Sequence, residues 1–311
     1  MAISRPAPAV PHVVSPATPA AASPPVTPAL TPPTTSADAP RVSPGSARSL
    51  LLTLLGEFVL PARAPTWTST LLYALHGVGV AEKSGRQAIA RAAAAGWIES
   101  IRDGRRASWQ LTGRGRTLIS EGSLRLRSLR AAADAWDGHW LLLHISLPDA
   151  RRADRLRLYR ALSWIGFGNP TPGLWINPHS ERAGEARRVV EDLKLDARSF
   201  AFRSTALQFG ISERELVAQS WDLPTIAAHY TGLVAYFSAL RPQSPDANLF
   251  AHIELVNALQ RLPFIDPALP AALLPPGWPA ARAAAKLETL RMRWRDAAHQ
   301  RWRELPEGGD G

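Results

Sequence analysis

The sequence contains no cysteine, which excludes disulfide cross-links, thiolate metal sites and cysteine nucleophiles and fits a reducing compartment. It has no run approaching the roughly 20 apolar residues that a membrane span requires. The opening MAISRPAPAV lacks the continuous apolar core of a signal peptide, so a soluble cytoplasmic protein without a membrane partner is expected. Tyrosine and methionine are scarce, with four and two copies. An acidic excess is missing as well: 36 Lys and Arg face 26 Asp and Glu, a net charge of +10. What remains is a chain of 311 residues with 46% hydrophobic content, enough for a sizeable core and two or three domains.

The positive charge is local. Residues 46–131 carry thirteen Lys or Arg against five Asp or Glu, a net of +8, whereas 1–45 and 132–311 carry +1 each. A concentrated basic field attracts phosphate backbone, so a polyanionic partner for this one segment is implied. The first 45 residues hold twelve of the 28 prolines with little charge and few aromatics. They cannot bury enough apolar surface to offset their ordering entropy and are expected to form a disordered tail with polyproline character.

From Ser46 the period becomes helical. Leu51, Leu54, Leu55 and Phe58 share one face before Pro61, and a second helix carries Leu71, Leu72 and Leu75 up to Gly77-Val78-Gly79. In a third, AEKSGRQAIARAAAAGW, Gly85, Ala88, Ile89 and Ala92 face inward, and Lys83, Arg86, Gln87 and Ala90 lie opposite. The stretch GWIESIRDGRRASWQL then reads as a hairpin turning near Asp103-Gly104, with Arg102, Arg105 and Arg106 at its tip. Three helices followed by an arginine-tipped hairpin make a winged helix-turn-helix. Its third helix is suited to the major groove of double-stranded operator DNA and its wing to adjacent phosphates or the minor groove. The expected DNA-binding residues are Lys83, Ser84, Arg86, Gln87, Arg91, Arg102, Arg105 and Arg106. A further helix begins at a Thr112 cap.

The middle region reads β-α-β-α-β, through HWLLLHISLP, RADRLRLYRALSWIGF, PGLWINP, ERAGEARRVVEDL and SFAFRSTALQ, one strand short of a ferredoxin-like unit. In its first helix Leu156, Tyr159, Leu162 and Trp164 are expected near one side. Trp136, Trp140, Trp164 and Trp175 are expected to pack in the core. His139 and His144 fall on opposite faces of a strand and do not suggest a shared metal. The first strand ends at Ser146, where a metal-dependent nuclease would want a carboxylate, and Asp149 lies beyond Pro148. No catalytic set, metal site or cofactor site is read, so a non-enzyme is expected. From about Ser212 the chain is helical.

The runs SLLLTLLGEFVLP, GRQAIARAAAAGWIESIRDGRRASWQLTGRGR and WDGHWLLLHISLPDARRADRLRLYRALSWIGFGNPTPGLWINP resemble the PaaX family of phenylacetate-catabolism repressors, from Ser46 to about Leu305. The resemblance implies an α+β chain with a Cas2-like (ferredoxin-like) middle domain and a helical C-terminal domain. It implies a homodimer that binds operator DNA and is released by an acyl-CoA effector such as phenylacetyl-CoA. The ligand-binding residues are unknown. An apolar pocket between the ferredoxin-like and helical parts would take the acyl group. The run Asn257-Ala258-Leu259-Gln260 departs from the family's His-Glu-aromatic-Arg pattern, which implies a different thioester or a different way of holding it. The expected domains are 1–45 tail, 46–131 winged helix, 132–211 ferredoxin-like, 212–305 helical and 306–311 flexible tail. The alternative is a Cas2-like metal-dependent nuclease or nucleic-acid-processing protein.

Overall fold

A computed structural model describes residues 45–103, 106–120, 136–147, 151–207 and 209–305. Outside the described residues lie the expected proline-rich tail up to residue 44, Gly104 and Arg105, the side chains of Arg102, Asp103 and Arg106, the link 121–135, Pro148 and Asp149, and the expected tail 306–311. Those described belong to one compact unit, Ala39–Gly311.

Helix α1 (Ala47–Leu54) is capped by the Ser46 hydroxyl, which accepts from Ser49 N at 3.1 Å. It runs on through a π-helical turn, Leu55–Val59, and a last turn at Leu60–Ala62. A short strand β1 (Thr66–Trp67) leads into α2 (Thr68–Gly77), then come α3 (Glu82–Ala94) and the antiparallel strands β2 (Ile98–Asp103) and β3 (Arg106–Leu111). The sheet order is β1-β3-β2. The expected inner faces hold: Leu51, Leu54, Leu55, Phe58, Leu71, Leu75, Ala88, Ile89 and Ala92 are all buried in one core. Helix α4 covers 113–120, and the Thr112 hydroxyl accepts from Gly115 N at 3.0 Å as its cap.

The middle region supplies β4 (Trp140–Ile145), α5 (Arg152–Trp164), β5 (Gly168–Thr171), β6 (Leu174–Asn177), α6 (Ala183–Asp192) and β7 (Ser199–Ser204). The sequence reading lacked β5, a four-residue edge strand containing Pro170, which an edge tolerates because no ladder donor is needed there. With it the unit is β-α-β-β-α-β, its sheet ordered β5-β6-β4-β7 with antiparallel pairs, the ferredoxin-like arrangement. Successive β4 side chains point to opposite faces. Leu141, Leu143 and Ile145 join Leu158, Leu162, Ile165, Ala186 and Val190 of α5, α6 and their flanks, while Trp140 joins the C-terminal helices. The inward stripe of α5 is therefore Leu158-Leu162-Ile165. Leu156, Tyr159 and Trp164 are exposed, which corrects both the expected face and the expected core role of Trp164; that ring stacks on Phe264 at 3.9 Å. Trp140 and Trp175 are buried as expected, and Trp136 is half-buried.

The C-terminal helices are α7 (Glu213–Ser220), α8 (Leu223–Ala239), α9 (Pro245–Arg261) and α10 (Ala280–Arg303). Helix α7 starts at a reciprocal Ser212–Glu215 capping box, and α8 and α9 at Asp222 and Ser244 caps followed by proline near the first turn. The cores cross the expected domain limits. Leu249 and Ile253 of α9 and Ala298 of α10 pack with α1–α3, and other faces of the same two helices pack under the ferredoxin-like sheet. Among the described residues no helix is long and apolar enough to cross a membrane.

Candidate nucleic-acid interface

Helix α3 is held by its small inner face. A Cβ on Gly85 would stand 3.0 Å from a Leu72 methyl, so α2 and α3 approach as closely as glycine allows, across a turn in which Gly79 takes a φ of 84°. The helix ends in a glycine cap: Gly96, at φ 69°, donates to Ala93 O, and Trp97 N donates to Ala92 O at 3.0 Å. This seating turns Lys83, Ser84, Arg86, Gln87, Ala90 and Arg91 outward, all exposed. Five of the eight expected DNA-binding residues thus share one solvent face. Arg86 is engaged in the helix itself, its Nε donating to Glu82 Oε1 at 2.7 Å, with both side chains more than half exposed. Such a pair contributes about 0.3–0.5 kcal/mol and is readily exchanged for another anion.

The hairpin follows α3 directly. Its register runs from Ile98 opposite Leu111 to Asp103 opposite Arg106, leaving Gly104 and Arg105 to connect the strands. Arg102 and Arg106 are therefore strand residues of its distal end, while Arg105 lies outside the described residues. Strand β3 is pinned to the start of α2: Trp109 Nε1 donates to Thr68 Oγ1 at 2.9 Å, and the Thr68 hydroxyl donates to Ala107 O at 2.9 Å. The Arg48 guanidinium lies 4.7 Å from the centre of the Trp97 ring. Recognition helix candidate and hairpin are consequently fixed to the same small core, and the charge that they carry moves with them.

Two polar clusters join this segment to the C-terminal helices, and sequence reasoning found neither. In the first, Ser49 Oγ donates to Asn257 Oδ1 at 2.6 Å and Thr53 Oγ1 to Gln260 Oε1 at 2.7 Å. The run that departs from the family pattern is therefore seated against α1 through Asn257 and Gln260. In the second, Glu57 Oε1 accepts from His252 Nε2 at 3.0 Å and from His299 Nε2 at 3.2 Å, with Arg291 Nη2 3.8 Å from Oε2. Burial opposes the Glu57 charge, but the hydrogen bonds from His252 and His299 and the nearby cations outweigh it and hold the carboxyl well below the usual range.

A cavity of about 710 Å³ opens among α7, α8, α9 and α10, lined by Arg214, Tyr230, Leu259, Asp266, Trp278 and Ala284 among others. This cavity lies within the helical part, whereas the expected acyl pocket was between the ferredoxin-like and helical parts. Its floor is organised by Asp266, whose carboxylate accepts from Tyr230 Oη at 2.6 Å and from Ala268 N at 2.7 Å. Burial, with the Asp266 charge beside it, pushes the Tyr230 phenol far up, so it stays protonated as a donor. The Ala268 carbonyl in turn accepts from His179 Nε2 at 2.7 Å.

Residues 46–115 match the PaaX-like protein family, residues 133–217 the PaaX protein central Cas2-like domain and residues 221–304 the PaaX-like protein C-terminal domain. Among curated proteins the chain is similar to the transcriptional repressor PaaX of Escherichia coli (strain K12), 28% identical over 247 residues that cover 76% of each chain. Among solved structures it is similar to an uncharacterized protein from Mycobacterium tuberculosis, with a TM-score of 0.52 and 23% identity, covering 81% of this chain and 98% of that one, a likeness of fold.

Proposed function

Because the chain belongs to the PaaX family, we propose that it is a DNA-binding transcriptional repressor in which residues 46–131 act as a winged helix-turn-helix. The observation that carries this reading is the exposed face of α3, with Lys83, Ser84, Arg86, Gln87 and Arg91, set beside a hairpin that bears Arg102, Arg105 and Arg106. Arg and Gln are the residues that bind guanine and adenine edges bidentately, so Arg86 and Gln87 read bases. Lys83, Ser84 and Arg91 fix the register on phosphates, and the wing arginines hold the flanking backbone or the minor groove.

One winged helix contacts too few base pairs to select one genomic site, so two copies read an inverted repeat with half-sites about one helical turn, or a multiple of it, apart. Edge strand β7, with Phe200 and Phe202 exposed, supports pairing between copies through the ferredoxin-like unit at 132–211. The 710 Å³ cavity in the helical domain at 212–305 takes the acyl part of an acyl-CoA effector, phenylacetyl-CoA or a relative. Arg214 on its wall, and Arg282, which donates to the carbonyl of the lining residue Gly277, take the phosphates of the thioester in this reading. The regulated genes are then those of an aromatic-acid catabolic operon.

The test is selection of preferred duplexes from a randomised pool, followed by gel-shift titration with a panel of thioesters, their free acids and CoA. The expected result is an inverted-repeat site released at micromolar concentration by one acyl-CoA and by neither of its halves. Release by a free acid alone would overturn the effector assignment, and failure to enrich any sequence would overturn the repressor reading.

A further inference from the structure

We propose that Glu57, His252 and His299 form a binding site for a divalent transition-metal cation of the zinc class, at the junction of the first helical segment with α9 and α10. Glu57 Oε1 lies 3.0 Å from His252 Nε2 and 3.2 Å from His299 Nε2, and the three ligand atoms all fall within 4.8 Å of one another. Zinc binds imidazole nitrogen and carboxylate oxygen at about 2.0–2.1 Å, and tetrahedral placement around one ion sets its ligand atoms about 3.3 Å apart. The two measured spacings differ from that by a few tenths of an ångström, a side-chain adjustment. Two imidazoles and one carboxylate leave the fourth position to water, a donor set zinc accepts.

The surroundings suit an ion. His252 is fully buried and Glu57 nearly so, while His299 keeps 20% of its side chain exposed and gives the ion a way in. Phe58 holds the rings in place, 4.9 Å from His299 and stacked at 4.4 Å on Trp302. Arg291 faces the other carboxylate oxygen, at 3.8 Å from Oε2, and shares its charge with Glu288 at 3.0 Å. It therefore leaves Oε1 to the metal and supplies the outer partner that orients a ligating carboxylate. In the metal-free protein both Nε2–H groups donate to that one oxygen, so binding of the ion at Nε2 requires each imidazole to carry its hydrogen on Nδ1 instead. His252 Nδ1 is buried without a hydrogen-bond partner, so one outer contact is missing. A missing contact of this kind weakens affinity about 10–100-fold.

The experiment uses the tag-free full chain, stripped with a chelator and titrated with Zn²⁺ by calorimetry, and with Co²⁺ by visible absorption. One equivalent per chain and the d–d bands of a tetrahedral site are expected, with a rise in thermal midpoint of roughly 5–10 °C at about a hundredfold excess over the dissociation constant. His299→Gln keeps a donor for Glu57 but removes a good ligand. It should fold with an unchanged metal-free midpoint and bind at least tenfold more weakly. Should His299→Gln fail to fold, His252→Gln serves for the same comparison. Absence of stoichiometric uptake by the folded chain, or equal affinity in a folded variant, overturns the proposal.

Discussion

If α3 lies in the major groove, Glu82 and Arg86 should affect DNA binding with opposite signs. The Arg86 Nε and Nη2 both stand 2.7 Å from Glu82 Oε1, and the two side chains are 59% and 65% exposed, so their pair is worth about 0.3–0.5 kcal/mol. To reach a base, Arg86 must leave it. Glu82→Gln removes that cost and one negative charge facing phosphate, and affinity for the preferred duplex should rise by about twofold. Arg86→Ala loses the same pair in the free protein but also a bidentate base contact of about 1–3 kcal/mol, a loss of roughly 5–150-fold with relaxed preference at one base position. Fluorescence anisotropy at fixed salt, on the preferred duplex and its single-base variants, measures both. Weaker binding by Glu82→Gln, or an Arg86→Ala loss under about twofold with base preference intact, would refute the placement of this helix.

Replacing Arg105 and Arg106 together with Ala should weaken specific and non-specific DNA binding alike and flatten the slope of log K against log salt by up to about 2 units, as a salt series would record. Asn257→Ala removes the acceptor of Ser49 and should destabilise by about 1–3 kcal/mol, lowering the calorimetric midpoint by roughly 2–10 °C. Burial holds the His179 pKa below its ordinary value near 6.5, against the smaller raising effects of the Ala268 carbonyl and Glu181 and with Arg182 lowering it further. The unfolded chain therefore takes up the proton first, and the stability His179 confers is complete above about pH 6.5 and falls as pH drops toward its folded pKa. Denaturant midpoints between pH 7.5 and 5 should fall less steeply in His179→Gln.

The elements around α3 were legible because their signals are local. The 3.6-residue spacing of Gly85, Ala88, Ile89 and Ala92 separates an inner from an outer face, and a capping threonine at 112 needs only the next turn to act. Strand β5 was not legible: Gly168-Asn-Pro-Thr171 has no alternating apolar residues, and its pairing with β6 comes from the hairpin into Leu174. In α5, arginines interleave with two apolar stripes, and only the sheet above decides that Leu158 and Leu162 go inward while Leu156 and Tyr159 do not. The junction clusters lay further out of reach. Glu57 meets His252 and His299 across 195 and 242 positions, so no window on the chain contains the pattern.

Helix α9 spans these junctions: Leu249 and Ile253 serve the first core, Leu255 and Leu259 the second, Asn257 binds α1, and Leu259 also lines the cavity. A helix owned by two cores makes the first segment non-portable. Cut away at residue 131, it would bare the apolar and polar surfaces that α9 and α10 now cover, so grafting this segment onto another protein would demand grafting its helical lid as well.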